Sequence, residues 1–398
     1  MYEKKFMRKL RIIVGGYIGL YPTGGATIDY IQYPLGLQLL GHDVYYIEDT
    51  MQYPLFQQKG TEWDNATGCV EYVRTVMEFF GMAGKWAYRD EASGNCYGMS
   101  LSRVTELCRT ADLFINISCS TVMRDEYFHI PHRVLVDSDP MFTQVTYNNE
   151  VSGDLTSLKK MIDTHNYLFS FGENIGKADS RIPTFGLNWI NTRQPVCMNL
   201  WDNSYRANAL NFTSVMNWSG REKMIFENEE WGQKDIEFAK YISLPKKIPE
   251  VKFEVVINPP IHPVTTFDLE DIKKNKWAVL HPKDTVADHH EYTRFIQHSF
   301  AEFSIAKETY VKSNSGWFSG RSACYLAAGK PVVAQDTGWS GYLPSGNGLF
   351  SFNDMDSAEA AVRTVAGNGK KHSEAATEIA KSYFDSAVVL TDMINKLK

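Results

Sequence analysis

The sequence has no paired cysteines, no long apolar run and little excess charge. Its six cysteines lie far apart and form no Cys-x-x-Cys pair, which predicts reduced, mostly buried thiols in a cytoplasmic protein. No stretch approaches the roughly 18 consecutive apolar residues that a membrane span needs. The apolar segment 12–20 is interrupted by glycines, and no small-residue cleavage site follows it. It therefore predicts a first strand and its loop rather than a signal peptide.

The charge balance and the composition indicate an ordinary globular chain. Lys and Arg number 41 and Asp and Glu number 47, which leaves a net charge of −6. Such mild acidity gives no global electrostatic reason to bind nucleic acid, although a local basic groove stays open. Of 398 residues, 43% are hydrophobic and 22% are charged, which excludes a disordered chain and a coiled-coil rod. At about 150 residues per domain, the length predicts two or three domains.

Short apolar runs alternate with helix-like stretches along most of the chain. The rhythm breaks at about 183–211, where Pro, Gly and Asn residues predict an irregular connector, and then restarts. The predicted strands are 10–14, 44–47, 113–117, 133–136 and 167–170 before the connector, and 212–216, 253–257, 277–280, 302–305, 331–334 and 349–352 after it. The clearest predicted helices are 28–40, 71–80, 234–243, 292–300, 322–328, 358–365 and a single last helix at about 373–397. The predicted fold class is α/β, with two doubly wound, Rossmann-like units that face each other across a cleft.

A first glycine-rich loop, 15–25, follows the first strand and precedes the first helix. Its glycines, including Gly24 and Gly25, let backbone N–H groups approach a phosphate or a sugar. The spacing matches neither a Gly-x-Gly-x-x-Gly motif nor a Walker loop, so a plain dinucleotide site finds little support. Glu48 and Asp49 end the second strand, where a ribose-binding acid would lie. A tight turn with a polar strand end explains the same residues.

A second loop, 310–322, runs directly into a predicted helix and is the stronger candidate for a phosphate site. Ser319 or Ser322 can cap that helix, and Gly320 lets the backbone approach a ligand. The free N–H groups of the helix and the forked guanidinium of Arg321 together suit a diphosphate. We expect the Arg321 side chain to lie among solvent when no phosphate is bound, so that the fold does not depend on it.

The end of this helix resembles the C-terminal domain of GT-B glycosyltransferases, because residues 327–333 read Ala-Ala-Gly-Lys-Pro-Val-Val. The segments 346–349 and 40–44 and the Gly24-Gly25 pair are similar to the same proteins. Over almost the whole chain, the sequence resembles a bacterial and phage group of glycosyltransferases related to spore-coat CgeB-like proteins. The supporting segments are 171–174, 192–196 and 302–307.

This resemblance implies two Rossmann-like domains, with a nucleotide sugar held mainly by the second. We expect an acceptor domain at 1–205, a donor domain at 206–375 and a C-terminal helix at 376–398 that packs back toward the first domain. The implied donor-binding residues lie in or near the two loops and at neighbouring strand ends: Gly24, Gly25, Arg221, Lys307, Ser319, Gly320, Arg321, Ser322, Asp336 and Thr337. The expected co-substrate is a UDP-sugar, and no cofactor is expected to be required.

One departure from the resemblance concerns the reaction's stereochemistry. The large retaining GT-B families carry two Glu eight positions apart before the glycine of this motif. Counted back from Gly329, those positions hold Cys324 and Gly316. The Glu pair is absent, so retention and inversion both stay open.

Three aspartates are candidates for the catalytic base. Asp137 and Asp139 follow the strand 133–136, and Asp29 follows the first glycine-rich loop. At the carboxyl end of a parallel strand, each side chain is expected to reach the cleft and to accept a proton from an acceptor hydroxyl. Asp137-Ser138-Asp139 also looks like the Asp-x-Asp of metal-dependent GT-A enzymes. Because a phosphate loop already exists in the second unit, we expect no metal site.

The function expected from these residues is transfer of a sugar from a nucleotide-diphosphate donor to an acceptor hydroxyl. The acceptor stays open among a glycan, a small metabolite and a phage-modified DNA base. Two alternatives share the fold: a nucleotide-sugar 2-epimerase and a non-catalytic nucleotide-sugar-binding module. An epimerase needs no acceptor, and a module releases no product.

Overall fold

The computed structural model describes residues 8–52, 66–150, 154–205, 210–220, 222–259 and 268–397. Over these residues the chain forms two large sheets flanked by helices, and a small hairpin. The first sheet takes its strands from residues 11–191 and the second from residues 211–352. The predicted boundary between domains falls at residue 206, which lies outside the described residues.

The first sheet has eight strands. They are β1 Arg11–Gly15, β2 Asp43–Glu48, β3 Trp86–Arg89, β4 Cys96–Gly98, β5 Leu113–Ile117, β6 His132–Asp137, β7 Tyr167–Ser170 and β8 Trp189–Asn191. Their order across the sheet is β4-β3-β2-β1-β5-β6-β7-β8, and every pair is parallel except β3 with β4. The helices of this unit are α1 Gly24–Leu39, α2 Thr67–Phe79, α3 Leu101–Thr110, α4 Phe142–Asn149 and α5 Leu158–Asp163, with 3-10 turns at Asp125–His129 and Met198–Leu200.

The second sheet has six parallel strands. They are β9 Asn211–Asn217, β12 Lys252–Asn258, β13 Trp277–Leu280, β14 Ala301–Ser304, β15 Val332–Gln335 and β16 Leu349–Phe352, and the hairpin is β10 Met224–Phe226 with β11 Glu229–Trp231. Their order is β13-β12-β9-β14-β15-β16. The helices are α6 Lys234–Tyr241, α7 Leu244–Lys247, α8 Leu269–Lys274, α9 Pro282–Thr285, α10 His289–His298, α11 Glu308–Lys312, α12 Gly320–Ala327, α13 Met355–Gly367, α14 Gly369–Tyr383 and α15 Ser386–Asn395, with a 3-10 turn at Trp339–Gly341.

The predicted α/β class with two parallel units is confirmed. The central strands are largely buried because helices cover both faces of the sheet. In β5 all of Leu113–Ile117 is buried, as is all of Val332–Gln335 in β15. The strands predicted at 113–117, 167–170, 277–280 and 349–352 have the observed bounds, and the other predicted strands differ by one residue at each end.

The prediction of a single last helix is wrong. The chain turns between α14 and α15, where Asp385 caps α15 by accepting from the N–H of Ala387 at 2.9 Å. Ser386 N donates to Val196 O at 2.8 Å, which ties the turn to the connector. Helix α15 then packs closely on α1. A Cβ on Gly36 of α1 would lie only 2.6 Å from the Ser386 Cβ, so this close contact requires glycine.

Helix α1 also contacts the second unit, and Gly24 makes this approach possible. A Cβ on Gly24 would overlap the backbone oxygen of Asp288 at the start of α10. The largest buried apolar cluster accordingly mixes both units, with Ile28 and Ile31 from α1 beside Tyr292 and Leu326. The two sheets are therefore held with their carboxyl ends toward a shared cleft.

Candidate active site

The site is built where α1 of the first unit faces the start of α12 in the second. Asp29 projects from α1, and a Cβ on Gly320 would lie 3.4 Å from Asp29 Oδ1. Gln194, from the connector, donates from Nε2 to the backbone oxygen of Asp29 at 2.9 Å. Residues from both units thus meet at the position that parallel α/β folds use for ligands.

The N-terminus of α12 is open to a ligand. Ser319 occupies the N-cap position, but its side chain makes no capping hydrogen bond. Ser322 Oγ is fully buried and has no hydrogen-bond partner. The expectation that one of these serines caps the helix is therefore wrong. An uncapped helix N-terminus keeps its N–H donors and its partial positive charge available for an anion.

Arg321 lies one residue into this helix, and protein groups take all three of its donor nitrogens. Nε donates to Glu302 Oε1 at 2.5 Å, Nη1 to Val215 O at 2.6 Å and Nη2 to Ser304 Oγ at 2.7 Å. Only 12% of the side chain is exposed, and the Glu302 side chain is fully buried. The expectation that Arg321 lies among solvent is wrong. Burial has the largest single effect and lowers the pKa of Arg321, but the charge and hydrogen bond of Glu302, together with Tyr292 and Tyr325, raise that pKa on balance.

Lys234, the first residue of α6, is the cation that sequence reasoning missed. It makes no ion pair with any residue that the structure describes. Burial lowers its pKa well below the usual range, and the neighbouring charges of Arg321 and Lys307 lower it further, whereas Glu302 opposes them. The sequence did carry a signal for this residue. A lysine in the first turn of a helix is unfavourable, because the positive end of the helix dipole favours acidic residues there. A lysine that has no ion-pair partner and lies near two other positive charges indicates a binding site for an anion.

Lys307 and Asp139 meet across the cleft. Lys307 Nζ donates to Asp139 Oδ1 at 2.7 Å, and the Tyr310 hydroxyl donates to the same oxygen. Asp139 comes from the end of β6 in the first unit, whereas Lys307 follows β14 in the second. The predicted base and the predicted phosphate ligand are thus each other's partner in the ligand-free protein.

Asp137 is held inside the first unit by four hydrogen bonds. Its oxygens accept from Thr143 Oγ1 at 2.6 Å, Ser170 Oγ at 2.7 Å, Gln144 Nε2 at 2.9 Å and Asp139 N at 2.9 Å. Only 1% of the residue is exposed. Burial raises the pKa of Asp137, and these donors oppose that shift. The arrangement orders the loop after β6 and keeps the Asp137 carboxylate buried.

Asp29 differs from Asp137 and Asp139 in its exposure and in its hydrogen bonding. The residue is exposed to the cleft, and its carboxylate makes no hydrogen bond with a described residue. Because protein surrounds the cleft on most sides, desolvation raises the pKa of Asp29 to about 7, against the opposing charge of Arg321. A carboxylate with a pKa near neutrality can both accept and release a proton under physiological conditions.

The other residues proposed for the donor have structural partners. Gly24 and Gly25 face Asp288 and Tyr292 of α10. The remaining two lie in the turn after β15. There Asp336 accepts from Gly338 N at 2.8 Å and from Ser340 Oγ at 2.5 Å, and Thr337 Oγ1 donates to Trp317 O at 2.6 Å. Arg221 lies outside the described residues.

The two acids at the end of β2 have partners within the protein instead of facing a ribose. Glu48 accepts from the N–H groups of Gly19 and Leu20 at 2.8 and 2.6 Å, and burial raises its pKa to about 7. Asp49 forms ion pairs with Arg89 and Arg124 at 3.2 and 2.9 Å. Both carboxylates are fully buried, so neither is available to a ligand.

Among the described residues, no group of three or more His, Cys, Asp or Glu side chains is arranged to hold a metal ion. In the same residues, no helix combines the length and the apolar character required to traverse a lipid bilayer. The six cysteines are free, and five of them are buried.

Comparison with solved structures establishes the architecture. An alpha-glucosyltransferase in complex with UDP and a 13-mer DNA containing an HMU base matches with a TM-score of 0.58 and 12% identity, over 98% of this chain and 99% of that chain. HepE of Anabaena, in complex with UDP and glucose, matches with a TM-score of 0.55, 12% identity and the same coverage. The chain has the two-domain GT-B fold.

A third match extends the range of proteins that share this GT-B fold. It is sucrose-phosphate synthase from Thermosynechococcus elongatus, with a TM-score of 0.53 and 10% identity over 98% of this chain and 99% of that chain. No protein-family model matches the sequence, and neither does any curated protein. At these identities the likeness concerns the fold, so the activity has to be argued from the site.

Proposed function

We propose that the protein is a cytoplasmic glycosyltransferase of the CgeB-like group, which transfers a sugar from a UDP-sugar to an acceptor hydroxyl. The observation that carries the proposal is Lys234, a cation without an ion-pair partner among the described residues. It lies beside Arg321 at the uncapped start of α12, and Asp29 lies opposite. Cations together with helix N–H donors suit a diphosphate, and a carboxylate of raised pKa suits proton transfer.

The donor half of the site supplies charge stabilisation. Lys234 and the first-turn N–H groups of α12 are proposed to bind the diphosphate, with Gly320 leaving room for its oxygens. Arg321 stays hydrogen-bonded to Glu302, and its positive charge attracts the diphosphate from the protein side of the site. As the bond between the anomeric carbon and the phosphate oxygen breaks, negative charge grows on the departing UDP, and these groups stabilise it.

The acceptor half supplies the base. Asp29 accepts the proton of the acceptor hydroxyl while that oxygen bonds to the anomeric carbon, and UDP leaves with the electron pair of the broken bond. Asp137 and Asp139 are less suited to this step because both carboxylates already accept hydrogen bonds. A displacement of this kind inverts the configuration at the anomeric carbon. Inversion agrees with the presence of Gly316 and Cys324 at the positions where the large retaining families carry a Glu pair.

The acceptor classes differ in what they need from the protein. One structural neighbour is in complex with DNA that contains an HMU base, and another is in complex with UDP and glucose. We propose the hydroxyl of a glycan, a small metabolite or a modified DNA base as the acceptor.

The activity is tested by incubating the purified protein with UDP-glucose and other UDP-sugars, with and without an acceptor array, in buffer or with a chelator. We expect release of UDP that requires an acceptor and survives chelation, because cations of the chain balance the diphosphate. A new sugar nucleotide without acceptor would favour the 2-epimerase instead. Binding without any product would favour a non-catalytic module, and complete loss in chelator would contradict metal independence.

Asp29→Asn is expected to slow transfer by about 10²- to 10⁴-fold, the usual contribution of a general base. UDP binding should stay within about twofold of the wild type. In the wild-type protein the rate should rise with pH through about 7, because only the ionised form of Asp29 accepts a proton. Asp29→Asn should lose this rising limb in a pH–rate profile of UDP release.

The control for this variant is Asp356→Asn, which removes the same charge from an exposed position on α13. It should keep both the rate and the pH profile. If Asp29→Asn retained the wild-type rate and its pH dependence, Asp29 would not be the base.

A further inference from the structure

Three tyrosines line the first-unit side of the cleft next to Asp29. The ring centroids of Tyr17 and Tyr21 lie 5.5 Å apart at 86°, and those of Tyr17 and Tyr30 lie 5.8 Å apart at 85°. Each of the three residues is partly exposed. In such edge-to-face contacts the rings do not cover each other's faces completely. Because the three residues are also partly exposed, apolar ring surface is left facing the cleft. We call these residues the tyrosine triad.

The first glycine-rich loop folds so that the triad can form. A Cβ on Gly16 would lie 2.9 Å from Tyr30 Cδ1, so only glycine lets the Tyr30 ring lie over the loop. On its other side the triad rests on the loop after β5. The Tyr17 hydroxyl donates to Cys119 O at 3.3 Å, and the Tyr30 hydroxyl is hydrogen-bonded to Ser118.

The backbone under the triad is strained. Ser118 and Cys119 have φ values of 57° and 54°, a left-handed conformation that is costly for residues other than glycine. Two consecutive residues of this kind persist only where the surroundings demand them, and they are concentrated at functional sites. Here the strained turn provides the hydrogen-bond partners that hold Tyr17 and Tyr30 in place.

The aromatic surface continues toward the donor half. Ser118 and Ser138 share a hydrogen bond of 2.6 Å between their hydroxyls, and Trp317 Nε1 donates to Ser138 O at 3.1 Å. Trp317, partly exposed, stacks on Tyr310 with centroids 4.4 Å apart. Trp317 lies three residues before Gly320, so the aromatic surface runs from the acceptor side to the start of α12.

The charges around the triad are acidic. Burial is the main cause that raises the pKa values of Tyr17 and Tyr30, and the carboxylates of Glu48 and Asp29, respectively, add to it. Among the described residues, the cations named for the site, Lys234, Lys307 and Arg321, belong to the second unit. A phosphodiester backbone is bound by lysine and arginine side chains, whereas a neutral ring needs apolar surface and a few hydroxyl partners.

We propose that the tyrosine triad is the acceptor platform of the enzyme and that it binds a neutral carbohydrate ring. The ring's C–H face lies on the tyrosines, and one of its hydroxyls points at Asp29. This inference rests on the proposed transferase function and narrows its acceptor from three classes to one. The triad binds the acceptor and takes no part in donor binding.

The test uses the full-length protein, UDP-glucose and three sets of acceptors. These are neutral oligosaccharides, acidic oligosaccharides, and duplex DNA with a hydroxymethylated base. The variants are Tyr17→Ala, Tyr21→Ala and their Phe counterparts, with Tyr147→Ala as the control. Tyr147 is a partly exposed tyrosine on α4 whose hydroxyl donates to Asp163. For each variant, acceptor-dependent UDP release is measured together with UDP affinity.

We expect only the neutral oligosaccharides to accelerate UDP release. Each Ala variant should raise the acceptor KM by about tenfold, which corresponds to about 1.4 kcal/mol, while UDP affinity changes by less than about twofold. The Phe variants keep the ring and should stay within about threefold of the wild type. Tyr147→Ala should match the wild type.

Several results would overturn the inference. Acceleration by DNA or acidic oligosaccharides alone would do so, as would Ala variants that keep the wild-type acceptor KM or that weaken UDP binding instead. Failure of the proposed function is distinct from these, because it would appear in the wild type as an absence of UDP binding and of UDP release with every acceptor.

Discussion

Lys234→Ala is expected to weaken UDP binding by roughly ten- to a hundredfold, the effect of losing a charge-assisted hydrogen bond. The lysine makes no ion pair with a described residue, and its positive neighbours Arg321 and Lys307 leave an anion as the natural partner. Titration calorimetry with UDP measures the effect directly. The affinity of the wild type should also fall as salt is added, because screening weakens charge–charge attraction.

The same substitution should leave folding intact. Burial and like charges disfavour the charged lysine in the folded state, so its removal should not lower the free energy of unfolding. Lys234→Met keeps the length of the side chain without its charge and should behave like the Ala variant. Lys246→Ala, an exposed lysine on α7, removes the same charge as a control. Unchanged UDP affinity in both Lys234 variants would place the donor elsewhere.

Arg321→Ala is expected to lower the free energy of unfolding by about 3–5 kcal/mol, because it breaks a buried ion pair and leaves one charge unpaired. Glu302 is fully buried, and its second oxygen already has no hydrogen-bond partner. The variant also removes the donors to Val215 O and Ser304 Oγ. Urea unfolding, with the transition midpoint and slope compared to the wild type, measures the loss.

A double variant separates stability from binding. Replacement of the buried pair by apolar side chains of similar size, Arg321→Met with Glu302→Leu, should recover most of the stability, because no charge is then left unpaired. UDP binding should remain weakened if the Arg321 charge helps to hold the diphosphate. A single Arg321→Ala variant that unfolds at the wild-type urea concentration would show that the ion pair does not stabilise the protein.

The fold was predictable because its signals are local. A short, mostly apolar run such as 113–117 favours a strand covered on both faces, and Gly329 followed by Pro331 is a typical end of a helix. Strands without such runs were missed, namely β3, β4, β8 and the hairpin β10–β11. They lie toward sheet edges or outside the main sheets, where partial exposure mixes polar residues into the pattern.

The prediction of a single last helix failed for a related reason. Helical periodicity continues across 384–385, and the N-cap residue Asp385 is the one local mark of the break that the prediction overlooked. The chain turns there because Ser386 N bonds to Val196 O, which is 190 residues away in sequence (386 − 196), and because α15 covers an apolar surface of α1. Such a partner is visible only once the chain has folded.

The sequence by itself determined the two parallel α/β units, the loop that leads into α12 and the set of candidate acids. Only the tertiary structure decided which charged groups are available to a ligand. Arg321 and Asp137 are held by hydrogen-bond partners from other strands and helices, whereas Lys234 and Asp29 have none among the described residues. The physical reason is that the availability of a charge depends on burial and on its partners, and both are set by residues distant in the chain.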